Sequence, residues 1–391
     1  MDTLIRNLRI VDGGLIREGS VLIRDGKIHS ILPADVRRDG TETFDGNGAY
    51  ASAGFIDLHT HGAGGSDFMD GTPEAFLTAC RTHLAHGTTT IFPTTLAASK
   101  EEILRSIRAF RAVKPVLEEM QTVPGLHLEG PYFDMDQKGG QDPEYIRNPD
   151  PAEYLEILEA ADGAVRRWSI APELPGAMEL ADELSRRGIL PSIAHTAATY
   201  ADCEEAIRHG YSLITHLYSC TSTITRRSGF RILGVTEAAY CFDALDVEII
   251  ADGCHLPPEL IRMIIRCKGT GRICLISDSL RCAGQDVKET ISGSLGAGRT
   301  VIIEDGVAKM PDRTAFAGSI ATDDRLVRTV WKKAGIPLPQ VIRMMCENPA
   351  RVMRLGACKG RLLPGYDADL VLFDEDVRVL EVFHRGTRIS L

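Results

Sequence analysis

Two histidines stand two residues apart in Phe55-Ile-Asp-Leu-His-Thr-His61, and Glu129, His195, His216 and Asp278 follow at wide intervals. His59, His61 and each of the later four lie at or near the C-terminal end of a short apolar run. Neutral imidazoles and carboxylates arriving from different elements are the ligand set of zinc and related first-row cations. Such a cation acidifies water from a pKa of about 15.7 toward 7 and polarises a carbonyl, so the set points to metal-assisted hydrolysis.

Taken singly, each of these residues has an ordinary explanation. Period-two geometry puts His59 and His61 on one face of a strand, but a bare His-x-His is structural about as often as it ligates. A lone strand-end glutamate such as Glu129 is more often surface-exposed or ion-paired. His195 and His216 could be satisfied core histidines, and Asp278 in Leu275-Ile-Ser-Asp-Ser279 could cap the next helix. Their joint fall at successive strand ends is what those explanations leave uncovered.

The elements that must position them are legible. Eight β-rich runs, Phe55–His61, Thr88–Thr95, Val123–Glu129, Arg167–Pro172, Ile189–Thr196, Ser212–Tyr218, Val247–Asp252 and Ile273–Ser279, are separated by amphipathic stretches. Helices are expected over Thr72–His86, Lys100–Val113, Ala152–Ala161 and Pro257–Cys267. This alternation is the pattern of parallel βα units, and eight is the number a (β/α)8 TIM-type barrel needs, with its active site at the strands' C-terminal face. Short strands bracket it. Leu4–Val11, Ser20–Arg24 and Lys27–Leu32 are broken by Gly13-Gly14 and Asp25-Gly26, and Asp369–Phe373 and Val377–Phe383 precede Arg385-Gly386. Residues 1–53 and 354–391 are therefore expected to form an accessory β domain around a barrel of residues 54–353.

Composition excludes several classes. With 391 residues, 44% apolar and 25% charged, the chain is an ordinary globular protein with room for a large core. A net charge of -10 argues against nucleic-acid binding. It does not exclude a small anion held by one local arginine. The ten cysteines include no Cys-x-x-Cys and read as buried free thiols, which points to the cytoplasm. No apolar run approaches the roughly 20 residues of a membrane span.

The segments Gly54-Phe-Ile-Asp-Leu-His-Thr-His-Gly62, Gly125-Leu-His-Leu-Glu-Gly-Pro131, Ala194-His-Thr-Ala-Ala-Thr-Tyr200, Thr215-His-Leu-Tyr218, Ile250-Ala-Asp-Gly-Cys-His255, Ser277-Asp278, Phe316-Ala-Gly-Ser319 and Glu347-Asn-Pro-Ala-Arg351 run in order along nearly the whole chain. In them the chain resembles the N-acetylglucosamine-6-phosphate deacetylases of the metal-dependent amidohydrolase superfamily. The resemblance implies a metal-binding barrel with a small β-sandwich made from both termini. It makes Glu129, His195 and His216 the principal metal ligands, with His59 and His61 available for a second ion that Glu129 bridges. One or two divalent ions, zinc or iron, are thus expected per subunit. Asp278 matches the aspartate that takes the proton of the attacking water and passes it to the departing amine.

For the substrate, a phosphorylated N-acetyl amino sugar, the resemblance implies contacts from Gly140, Gln141, Ser219, Cys220, Arg227, His255, Phe316, Ala317 and Gly318. Of the adjacent Arg226 and Arg227, which the residues themselves do not rank, the resemblance favours Arg227 as the arginine that holds the sugar phosphate, often across a homodimer interface. Recognition is also where the chain departs from the pattern. His216-Leu-Tyr-Ser-Cys-Thr221 stands where the family usually reads His-Leu-Tyr-Asn-Ala-Met, and Lys138-Gly-Gly-Gln141 where many members read Lys-Gly-Ala-His. These changes leave open N-acetylgalactosamine-6-phosphate, or an unphosphorylated substrate of a D-aminoacylase or cyclic-amide hydrolase. A non-catalytic barrel would be expected to lack ligands, and none is missing. His29, His83, His86, His209 and His384 read as structural or exposed. His127 shares the parity of Glu129 and could support the site.

Overall fold

The computed structural model describes residues 2–390. All eight expected runs form strands: β1 (Phe55–Thr60), β2 (Thr88–Pro93), β3 (Leu126–Glu129), β4 (Val165–Ile170), β5 (Leu190–Ile193), β6 (Leu213–Ile214), β7 (Asp246–Ile250) and β8 (Ile273–Ile276). Neighbours are parallel, in the order β1-β2 and β3-β4-β5-β6-β7-β8. Bridges Thr90–Thr122 and Thr94–His127 join β2 to the approach and body of β3. The sheet curls until β8 meets β1, where Asp278 N donates to His59 O at 2.8 Å and His61 N to Ser279 O at 2.9 Å. Strands buried on both faces read as continuous apolar runs, which is why the sequence displays them.

Helices follow the strands in turn: α1 (Pro73–Ala85), α2 (Lys100–Met120), α3 (Pro151–Ala161), α4 (Ala177–Arg186), α5 (Tyr200–Arg208), α6 (Val235–Cys241), α7 (Pro258–Lys268) and α8 (Asp323–Arg328). Their starts carry local signals. Thr72 accepts from Ala75 N ahead of Pro73, Ser99 from Glu102 N, and Thr199 forms a capping box with Asp202. Helix α2 runs past the expected end at Val113 and through Pro115, because Leu117 continues the buried face of Val113.

The chain termini build one sheet. Leu370–Phe373 pairs antiparallel with Tyr50–Ala53, Leu370 opposite Ala53, and Tyr50–Ala53 adjoins the long strand Thr3–Asp12. Gly13 and Gly14 turn at φ 60° and 82°, and Asp25 and Gly26 at 49° and 72°, the left-handed pairs that two-residue hairpins need. Gly54 links this sheet to β1; a Cβ there would lie 1.9 Å from Thr89 Oγ1, so no other residue fits without displacement.

Two features have no counterpart in the sequence reading. Four antiparallel strands, Glu289–Ser292, Arg299–Glu304, Val307–Lys309 and Phe316–Gly318, are inserted between β8 and α8. A hairpin of Thr225–Arg227 and Phe230–Ile232 precedes α6. The cysteines are all free, but the expectation that they are buried fails for Cys241 and Cys267, which are exposed, and holds only in part for the half-buried Cys220, Cys254 and Cys358.

Candidate active site

Strand ends deliver the ionisable groups to one place. Glu129 closes β3, His59 lies in β1 with His61 just beyond it, and His195, His216 and Asp278 each stand two residues past β5, β6 and β8. The last three have φ of 44°, 31° and 46°. A left-handed residue other than glycine costs about 1–3 kcal/mol, so its surroundings must hold it. Here they do: His195 Nδ1 donates to Gln137 O at 2.9 Å and His216 Nδ1 to Ser219 O at 3.0 Å. Asp278 is clamped by its own N–H on His59 O and by Ser319 N donating to its carbonyl at 2.9 Å.

These bonds turn the Nε2 atoms inward. Nε2 of His216, His59 and His195 lies 3.1, 3.2 and 3.5 Å from Glu129 Oε1, and that of His61 lies 3.4 Å from Oε2. Asp278 Oδ1 is 3.1 Å from His61 Nε2 and 3.4 Å from His59 Nε2. Two groups, His59–His61–Glu129 and Glu129–His195–His216, each have ligand atoms within 4.8 Å of one another and are able to hold a metal ion. Gln141 Nε2 donates to Glu129 Oε2 at 2.7 Å while its Oε1 accepts from Ala97 N at 2.8 Å, so this glutamine orients the shared carboxylate.

The electrostatics ask for positive charge. Burial works against a charge on His59, yet Glu129 and Asp278 lift its pKa to about 10. Burial also opposes ionisation of Glu129, but the charge of His59 and the hydrogen bonds of His195 and His216 hold the carboxyl well below its usual range. The same balance, with His59 and His61 opposing burial, lowers Asp278. A cluster of buried carboxylates and inward-facing imidazoles fits a divalent cation, which answers that demand without protonating the rings.

The cluster floors a pocket of about 460 Å³. Gly140, Gln141, Ser219, Cys220 and His255 line it, as does the Phe316–Gly318 strand of the inserted sheet. His255 is held by Nδ1 donating to Asp252 Oδ2 at 2.9 Å and by Phe316, whose ring centroid is 4.9 Å away. Arg227 is not brought there. It sits exposed on the hairpin beside Phe230, which is 75% exposed, and the chain's own pocket does not include it.

Other residues surround the cluster, and of these only His127 was expected to support it. Leu96, Ile250 and Ser292 complete the wall. His83, read as structural or exposed, is structural: it is fully buried, and its Nε2 lies 2.9 Å from Oγ1 of Thr60, the residue between His59 and His61. His127 stacks edge-on to His59 at 4.7 Å and meets Ser169 Oγ at 2.7 Å. Arg167 and Glu248, 81 residues apart, form a buried ion pair below the cluster. Neither was singled out by its strand, since Arg166 precedes Arg167 in one and Asp246 shares the other with Glu248.

Residues 50–389 match the amidohydrolase family. The chain is 31% identical to the N-acetylglucosamine-6-phosphate deacetylase of Lysinibacillus sphaericus, covering 99% of this chain and 97% of that protein. It is 28% identical, over 100% of both, to the N-acetylgalactosamine-6-phosphate deacetylase of Escherichia coli O157:H7. Among solved structures, N-acetylglucosamine-6-phosphate deacetylase from Pasteurella multocida superposes with TM-score 0.92 at 27% identity over 100% of each chain. An aspartate-to-alanine mutant of the Mycobacterium smegmatis deacetylase, in complex with N-acetyl-D-glucosamine-6-phosphate, superposes with TM-score 0.89 at 30% identity over 99% of each chain.

Proposed function

This chain belongs to the amidohydrolase family, and from that premise we propose that it hydrolyses the acetamido group of N-acetylglucosamine-6-phosphate, releasing acetate and glucosamine-6-phosphate. The observation that carries the reading is the convergence of four imidazoles on Glu129 with Asp278 beside them. Full-length similarity to deacetylases supports the substrate class. The curled parallel sheet supports a (β/α)8 barrel over residues 54–353, and the joined terminal strands support a β-sandwich of residues 1–53 and 354–391. Among the described residues no helix is long and apolar enough to cross a membrane; the free thiols support a cytoplasmic location.

In this reading Glu129, His195 and His216 would hold one divalent cation, zinc or iron, and His59 and His61 together with Glu129 would hold a second. When bound, the metal supplies polarisation of the amide carbonyl and acidification of water. Asp278 accepts the proton of the attacking water and delivers it to the amine nitrogen as the carbon–nitrogen bond breaks, since an unprotonated amine leaves poorly. Its lowered pKa keeps it ionised and ready to accept. His255, fixed by Asp252 and Phe316, and Gly140, Gln141, Ser219, Cys220, Ala317 and Gly318 surround the sugar.

Arg227 binds the 6-phosphate of a second copy's substrate, a guanidinium pairing bidentately with phosphate oxygens. Its exposed hairpin, flanked by Phe230, supports a homodimer in which each copy completes the other's pocket. The galactosamine epimer is the second reading, favoured by Ser219 and Cys220 on the pocket wall and by the similarity to an N-acetylgalactosamine-6-phosphate deacetylase.

One experiment separates these: kcat/KM for N-acetylglucosamine-6-phosphate, N-acetylgalactosamine-6-phosphate and the two unphosphorylated sugars, with metal content measured on the same sample. The glucosamine phosphate should be fastest, with about 100-fold or more lost without phosphate, because a site built for a charged group rejects the analogue lacking it. Arg227→Ala should raise KM for the phosphosugar alone. Equal rates with and without phosphate, or an unchanged KM, would refute the phosphate reading.

A further inference from the structure

Arg167 of β4 and Glu248 of β7 are both fully buried. They pair bidentately, Nη1 to Oε1 and Nη2 to Oε2, the latter at 2.8 Å. The rest of the guanidinium is also satisfied. Nε donates to Ser192 Oγ at 2.9 Å, Nη2 to Thr215 Oγ1 at 2.7 Å and Nη1 to Leu58 O at 3.3 Å. A buried ion pair is weak evidence for stability, because desolvating two charges offsets most of their attraction. So complete a set of bonds beneath a cluster of imidazoles invites a positional explanation.

The explanation lies in the second nitrogen of each ring. An imidazole that binds a cation through Nε2 carries its proton on Nδ1, and that proton needs an acceptor. For His195, His216 and His61 the acceptors are backbone carbonyls, of Gln137 at 2.9 Å, Ser219 at 3.0 Å and Thr94 at 3.3 Å. His59 Nδ1 is buried and has no hydrogen-bond partner. Glu248 Oε2 stands 3.8 Å from it, and Arg167 also grips the carbonyl of Leu58, the residue before His59.

We propose that Glu248, held in place by Arg167, is a positioning residue for His59 and thereby secures the ion shared by His59, His61 and Glu129. The inference rests on the metal reading above and sharpens it. A ring that draws closer by a fraction of an ångström donates Nδ1–H to Glu248 Oε2, which fixes the tautomer and makes Nε2 a stronger ligand. The guanidinium keeps that carboxylate ionised in the interior and prevents it from turning toward a cation itself. His195 and His216 have no such carboxylate behind them, so the two ions depend on different supports.

The test is metal binding. Protein stripped with a chelator is titrated with Zn²⁺ by calorimetry and with Co²⁺ by absorption, and ions per subunit are counted. Glu248→Gln should weaken one of two ions by about 10–100-fold and leave the other at wild-type affinity. His59→Asn should remove the same ion and the same part of the Co²⁺ spectrum. Should Glu248→Gln misfold because Arg167 is left unpaired, the double variant Arg167→Met with Glu248→Gln must show the selective loss. Two ions bound by these variants with wild-type affinity, or both weakened equally, would overturn the proposal. A wild-type protein that binds a single ion also overturns it while leaving the deacetylase reading intact; one that binds none defeats the metal reading itself.

Discussion

Asp369 lies at the seam where the terminal sheet meets the strand that carries His59 and His61. Its side chain is buried; Lys359 Nζ donates to Oδ2 at 2.5 Å and Arg385 N to Oδ1 at 2.8 Å, while its carbonyl accepts from Gly54 N at 2.9 Å. Burial opposes the charge, but His384, with Nδ1 3.1 Å from Oδ1, and the charge of Lys359 hold the pKa at about 2 against an ordinary 3.8. The difference, 3.8 minus about 2, is about 1.8 units, worth about 2.4 kcal/mol at about 1.36 kcal/mol per unit. The folded pKa is the lower one, so this stability is fully present above the unfolded value and is lost as pH falls from about 4 through about 2. Asp369→Asn removes it without orphaning Lys359, which keeps Asp367 at 2.9 Å. Urea unfolding followed by the two tryptophans, Trp168 in the sheet and Trp331 against Tyr50 of the terminal strands, measures the effect. The variant should be less stable by about 2–3 kcal/mol at pH 7, and the gap should close toward pH 2. A gap that is constant with pH would refute the reasoning, since it would assign the loss to packing and not to charge.

Asp278→Asn should take up metal as the parent does while turnover falls by about 10²–10⁴-fold, the usual contribution of a general base; substantial residual activity would remove Asp278 from that role. Glu129→Gln, which alters the one carboxylate common to both groups of ligands, should release metal from both, so wild-type ion content in that variant would contradict the shared-ligand geometry. Chelation should abolish hydrolysis and Zn²⁺ or Fe²⁺ should restore it. Activity that survives complete metal removal would exclude metal assistance.

The parts of the fold that could be read in advance were those whose signals are local. Parallel strands covered on both faces leave unbroken apolar runs, and the left-handed glycines of the terminal hairpins mark their own turns. The metal-binding residue types were visible because they interrupt those runs at their ends. Partners distant in sequence were not. Arg167 and Glu248 each share a strand with another charge, Arg166 and Asp246, and nothing links them until the register of β4 through β7 brings them together inside the sheet. Gln141 was expected on the substrate and lines the pocket, but its amide also grips Glu129, a bond that depends on how a loop of irregular backbone folds back. The inserted strands between β8 and α8 are short and half-exposed, with neither the continuity nor the period that announces a strand. Arg227 was expected on the phosphate from the resemblance alone, and its exposed place on the hairpin lies outside the chain's own pocket.

The left-handed backbone at His195, His216 and Asp278 has a consequence for how such a chain ages once released from selection for activity. Glycine would adopt those conformations with less strain, so the side chains proposed to do the chemistry are also ones the local backbone would more readily do without. Drift in a duplicated copy should therefore begin at these three positions and lead toward a sturdier, inert protein. A relative with glycine at any of them would be recognisable as a retired enzyme from its sequence, before any assay.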